Sequence, residues 1–104
     1  MEPNIRTIDE FGKVVIPRQL RIMHDLQTFR GTVKCLTGSN ELYLYSDHES
    51  FDDVNTERLT FKELKLDDFG RISVLSIFGS LKRVQFIENF NPNNYLKYIE
   101  VKPI

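Results

Sequence analysis

Cysteine and tryptophan are nearly absent from this chain of 104 residues, which has Cys35 and no tryptophan at all. One thiol excludes an internal disulfide and fits a reducing compartment. Cys35 falls in the middle of an alternating segment with no base beside it, so it is expected in the core and not as a nucleophile. Only two histidines occur, His24 and His48. His24 lies in a helical pattern and reads as a packing residue. His48 stands among Asp47, Glu49, Asp52 and Asp53, where a solvated acidic segment explains the cluster better than a metal does. No glycine loop of the phosphate-cradling kind is present. Catalysis is therefore not expected, and neither is a cofactor or a metal.

Long apolar runs are missing too, which excludes a membrane-spanning helix. Glu2 and Asn4 stand where a secretory leader would need a basic segment and an apolar core, so a cytoplasmic location is expected. No strong charge of one sign appears: the formal net charge is −1. A uniformly basic nucleic-acid binder is thereby excluded, but a local basic face is not. Residues 1–46 carry six Lys/Arg and five Asp/Glu, residues 47–64 two and six, and residues 65–104 six and four. The acidity is concentrated in the middle.

What is present is a repeat. "TIDEFGKVVIPRQLR" at 7–21 returns as "KLDDFGRISVLSIFG" at 65–79. Asp9 falls on Asp67, Gly12 on Gly70, Lys13 on Arg71 and Val14 on Ile72. Asn4 to Ile8 reads as a strand and Asp9 to Gly12 as a turn, with the Asp carboxylate accepting backbone amides and Gly12 taking positive φ. Lys13 to Ile16 reads as the return strand of that hairpin. Pro17 ends it and opens a helix over "PRQLRIMHDL", with Leu20 and Met23 on one face and Arg18 and Arg21 on another. A second hairpin covers Val33 to Tyr45, turning at Thr37 to Asn40. "SDHESFDDVNTE" is a linker. The second copy repeats the order: a strand from Arg58 to Leu66, a turn at Asp67 to Gly70, and a strand from Arg71 to Leu75. "SIFGSL" stands in the helix slot. A last hairpin, Val84 to Ile87 with Tyr95 to Val101, has a longer tip. Leu75 answers Pro17 and Gly79 answers Arg21, so the second helix shrinks to one turn or none. The organisation is one compact domain of two repeats, 4–46 and 58–102, joined by an acidic linker at 47–57. Each half is too small to bury an adequate core alone.

The run "IRTIDEFGKVVIPRQLR" resembles the AbrB/SpoVT family of bacterial transition-state regulators, through Arg6, Ile8, Asp9, Gly12, Lys13, Val14, Val15, Ile16, Pro17, Leu20 and Arg21. Residues 59–102 match more weakly, chiefly at "LDDFGRISV". The resemblance implies a mainly β fold, the swapped-hairpin double-split β-barrel. Here it would be a pseudo-dimer of two strand-strand-helix-strand-strand repeats with short helices. The MraZ family has a similar tandem arrangement. The resemblance further implies a cytoplasmic, nucleoid-associated transcriptional regulator that contacts double-stranded DNA through Arg6, Lys13 and Arg21. Arg18, Lys65 and Arg71 are further candidates, and Lys82 and Arg83 follow them. Arg and Lys neutralise phosphates, and Arg also reads base edges. Position 13 is Lys, without the guanidinium fork. In the second copy Leu64 answers Arg6 and Gly79 answers Arg21.

Two other readings belong to the same fold. One is an antitoxin-like module covering a toxin-like protein partner; the other is an assembly domain forming a homodimer or higher oligomer. Tyr43, Tyr45, Tyr95 and Tyr98 fall in the last strands of the copies. They are expected as core, barrel rim or oligomer surface, not as a base-stacking platform.

Overall fold

Each turn of the repeat is closed by its aspartate. Asp9 Oδ1 accepts the backbone N–H of Phe11 and of Lys13, both at 2.9 Å, and Asp67 Oδ1 accepts those of Phe69 and Arg71 at the same distance. Gly12 and Gly70 follow with φ of 77° each, where a side chain would be strained. The two turns are built alike, as their sequences predict.

The computed structural model describes residues 4–24, 26, 31–45, 58–90, 92–93 and 96–104, without the side chains of His24, Leu96 and Lys97. The expected linker, the acidic cluster around His48 and Tyr95 lie outside the described residues. The elements run β1 (Asn4–Thr7), β2 (Lys13–Val15), α1 (Arg18–His24), β3 (Thr32–Gly38), β4 (Glu41–Tyr45), β5 (Thr60–Lys65), β6 (Arg71–Ser73), α2 (Leu75–Phe78), β7 (Arg83–Phe90) and β8 (Leu96–Pro103). The fold is mainly β and antiparallel. Six strands form one sheet in the order β1-β7-β8-β4-β3-β5, and β2 pairs with β6 in a second, two-stranded sheet. Among the described residues the larger sheet does not close into a barrel: β1 and β5 are its edges.

This pairing corrects the expected first hairpin. The turn is present, with Asp9 N donating to Lys13 O at 2.8 Å, but no ladder continues from it. β1 leaves to pair with β7, and β2 leaves to pair with β6. The strand β5 likewise pairs with β3 of the other repeat. The sheet order is unchanged when it is reversed and each strand is exchanged for its counterpart, β1 for β5, β3 for β7 and β4 for β8. Register obeys the same exchange: Arg6 faces Val84 as Leu64 faces Val33, and Leu42 faces Val101 as Leu44 faces Ile99. The small sheet is tied by two further bonds across the repeats, Ile16 N to Gly70 O at 2.9 Å and Val74 N to Gly12 O at 2.7 Å.

Apolar positions account for the packing. Val14 and Ile72 face each other in the small sheet and are fully buried, joined by Ile16 and Val74 from the strand ends. One face of the large sheet adds Val33, Cys35, Leu42, Leu44, Val84, Phe86, Ile99 and Val101 to this core. Both repeats thus supply a single core, which two units of this size require. The opposite face holds a smaller cluster of Leu36, Tyr45 and Leu59 with Tyr43 and Tyr98. Tyr43 meets Tyr98 edge to face at 5.4 Å, so these rings pack against each other.

Several local expectations shift. The helix is seven residues long, and only Leu20 of the expected Leu20–Met23 face is buried; Met23 and Ile22 are exposed. Three positions along a helix turn the side chain about 60° away from the starting direction, and a helix this short cannot cover both. The second helix is one turn of four residues that stops at Gly79, with φ of 59°. The β3–β4 hairpin is tighter than expected, because β3 runs through Gly38 and leaves Ser39 and Asn40 as the loop, with Asn40 at φ 55°. The last hairpin outruns the expected strands: β7, Arg83–Phe90, is longer at both ends, and β8, Leu96–Pro103, continues two residues past Val101.

Candidate nucleic-acid interface

Burial of Val14 and Ile72 fixes the opposite face of the small sheet. Alternation turns Lys13 and Val15, with Arg71 and Ser73, to the outside. Lys13 stands opposite Ser73 and Val15 opposite Arg71. Beside this face, the end of β5 brings in Leu64 and Lys65. Lys13, Leu64, Lys65, Asp67, Arg71 and Ser73 line a cleft of about 280 Å³. Three of the candidate cations, Lys13, Lys65 and Arg71, therefore share one concavity.

Arg21 is not part of this lining but lies against the second-repeat turn. Its Nε donates to Ile16 O at 3.2 Å, and its guanidinium lies over Gly70, in the turn that leads to Arg71. A first-repeat arginine thus covers the second-repeat turn. Over Gly12 the corresponding cover is Leu75, whose Cβ would lie 2.6 Å from any Cβ added there. The exchange of strands puts Lys13 of the first repeat beside Lys65 and Arg71 of the second, and Arg21 over the second-repeat turn.

The remaining candidates do not enter the cleft. Arg6 is half-buried on the edge strand β1, and its Nη1 donates to Ile5 O at 2.9 Å. By the exchange it occupies the place of Leu64, flanking the opposite side of the small sheet. Arg18 is exposed at the start of α1. Lys82 and Arg83 are exposed before and at the start of β7. Lys82 lines a separate cleft of about 450 Å³, with Asp9, Glu10, Gly12, Leu75 and Leu81 among its walls.

Charge in the first cleft is unevenly committed. Arg71 donates from Nε to Asp67 Oδ2 at 2.8 Å and reaches Asp9 Oδ2 from Nη1 at 3.5 Å. Its Cζ lies 5.2 Å from the centre of the Phe69 ring. The backbone N–H of Arg71 holds the Asp67 carboxyl below its usual range; burial opposes this, and the Arg71 side chain and the Phe69 N–H add to it. Among the described residues no carboxylate lies within ion-pair distance of Lys13 or Lys65.

Sequence reading missed Ser73, because only register places it opposite Lys13. It also missed the exposure of Phe11 and Phe69 at the turn tips, 69% and 74%; their shared position in the two copies was the available signal. Cys35 is buried as expected. Its Sγ lies 3.3 Å from Lys62 O, and burial pushes the thiol up to about 12. Among the described residues no three His, Cys, Asp or Glu side chains are grouped to hold a metal ion, and no helix is long and apolar enough to cross a membrane. The chain matches no protein-family model and no curated protein.

Proposed function

We propose that this chain is a DNA-binding transcriptional regulator of AbrB-like type, folded as a fused pseudo-dimer of swapped-hairpin, double-split barrel character. The observation that carries the reading is the strand exchange. It sets Lys13 of the first repeat in one cleft with Lys65 of the second, with Arg21 of the first repeat over the second-repeat turn. A cluster of this kind neutralises phosphates of a duplex without making the whole chain basic. It is consistent with a net charge of −1, since the acidic 47–64 segment offsets the basic repeats. Arg6, on the edge strand at the other flank of the small sheet, would extend the reach of this face along the duplex.

Fluorescence anisotropy with duplex fragments at low salt tests this. The protein should bind, and Arg21→Ala should weaken binding several-fold. A folded protein that binds no duplex at low salt refutes the reading.

The exposed Phe11 and Phe69 favour a second reading, a protein partner seated over the turn tips, since exposed aromatics anchor protein interfaces. Phe11→Ala separates the two: it leaves duplex affinity unchanged under the first and abolishes partner capture under the second. β1 and β5, the edges of the large sheet among the described residues, also suit pairing with a second copy of the chain.

A further inference from the structure

We infer that Arg71 is a positioning residue that locks the two turns together, and that it does not contact phosphate. Its guanidinium joins groups from both repeats: Asp67 Oδ2 at 2.8 Å from its own turn and Asp9 Oδ2 at 3.5 Å from the other. Phe69 stacks on it from the side. The second oxygen of each carboxylate is the one that closes its own turn, holding two backbone N–H groups at 2.9 Å. One fork therefore adds a side-chain tie between two turns that the backbone bonds of Ile16 N to Gly70 O and Val74 N to Gly12 O already bring together. The fork geometry matters, because Arg can satisfy two carboxylates at once and an ammonium cannot reproduce the arrangement.

The repeat divides the labour. Lys13 occupies the matching position in the first copy and makes no ion pair among the described residues, so its charge faces outward. Arg71 is engaged through Nε and Nη1 by two carboxylates, whose negative charge offsets its own toward a phosphate. The pairs are partly exposed, with side chains 23–35% accessible, so each adds little stability. What they fix is the angle between the turns that carry Lys13 and the lip of the cleft. That Arg71 does not contact phosphate rests on the DNA reading; the lock itself does not.

Asp9→Asn distinguishes the two roles by sign. Asn keeps an acceptor for the N–H groups of Phe11 and Lys13 and removes only the charge facing Arg71. If Arg71 is a lock, Asp9→Asn and Arg71→Ala each weaken duplex binding several-fold, with the salt slope unchanged. If Arg71 contacts phosphate, Asp9→Asn tightens binding and Arg71→Ala lowers the slope by about one, which overturns the inference. Amide hydrogen exchange tests the lock without DNA. The Ile16 and Val74 N–H groups, which bond across the two turns, should exchange several-fold faster in either variant and no faster in the double variant. Unchanged exchange in both variants overturns the lock even if DNA binds; failure of the wild-type chain to bind overturns only the DNA reading.

Discussion

Gly12 and Gly70 share a φ of 77° but not their neighbours. Any side chain at either position incurs about 1–2 kcal/mol of left-handed strain. At Gly70 the obstacle is the Arg21 guanidinium, the far end of a flexible chain that can swing away. At Gly12 it is the Leu75 Cβ, with the Leu75 backbone at 3.2 Å behind it. Gly12→Ala should therefore lower the unfolding midpoint more than Gly70→Ala, while Gly70→Ala costs more duplex affinity by displacing Arg21. Thermal melts and anisotropy check the pair. Asp67 makes a second prediction. Its folded pKa lies below the unfolded value of about 3.9. Its stabilisation is then complete above that value and is lost as pH falls through the lowered one. Asp67→Asn should flatten that acid limb of a stability-against-pH curve. The turn chemistry at Asp9, Gly12, Asp67 and Gly70 was legible in the sequence because it is local: each aspartate bonds amides two and four residues ahead.

At the scale of elements, the strands, the helices and the hairpins β3–β4 and β7–β8 were legible, and the partners of the strands flanking the aspartate turns were not. Period-two alternation marks Lys13 to Ile16 as a strand whichever strand it pairs with. The turn bond between Asp9 and Lys13 exists in a hairpin and in an exchanged strand alike. With three residues in each of β2 and β6, the small sheet depends on its buried side chains. Ile72→Ala should cost about 2–5 kcal/mol, as is usual for a buried isoleucine, read from denaturant midpoints. A cost below about 1 kcal/mol would mean that the small sheet is not seated on the core. The weakening of the second helix was legible, because Leu75 replaces the helix-starting Pro17 and Gly79 follows within a turn. The full burial of Leu26 beyond α1 was not, since nothing in a seven-residue helix announces what its far end meets.

At the scale of the molecule, the exchange explains why the repeat exists. Among the described residues, the edge strands β1 and β5 each pair only with the other repeat. A chain cut to residues 1–46 would leave β1 without its partner β7 and Val14 without Ile72. Sedimentation and far-ultraviolet spectra should find that fragment unfolded as a monomer, or folded only as a dimer of itself; a folded monomeric fragment would contradict the exchange. The same geometry explains how the second copy drifts yet still shares a candidate site. Gly79 in place of an arginine removes a cation from the first turn, whereas the second turn keeps the one that Arg21 brings across. Sequence reading named Lys13, Lys65, Arg71 and Arg21 separately, and only the pairing of strands between repeats puts the first three in one cleft and Arg21 over the second-repeat turn. The central claim is that this face is composite, and the salt dependence of duplex binding tests it most directly. In plots of log affinity against log salt, Lys13→Ala and Lys65→Ala should each reduce the slope by about one, and the double variant by about two. A loss confined to Lys13→Ala, with Lys65→Ala matching the wild-type slope, would mean that the first repeat meets DNA alone, and the composite face would be contradicted.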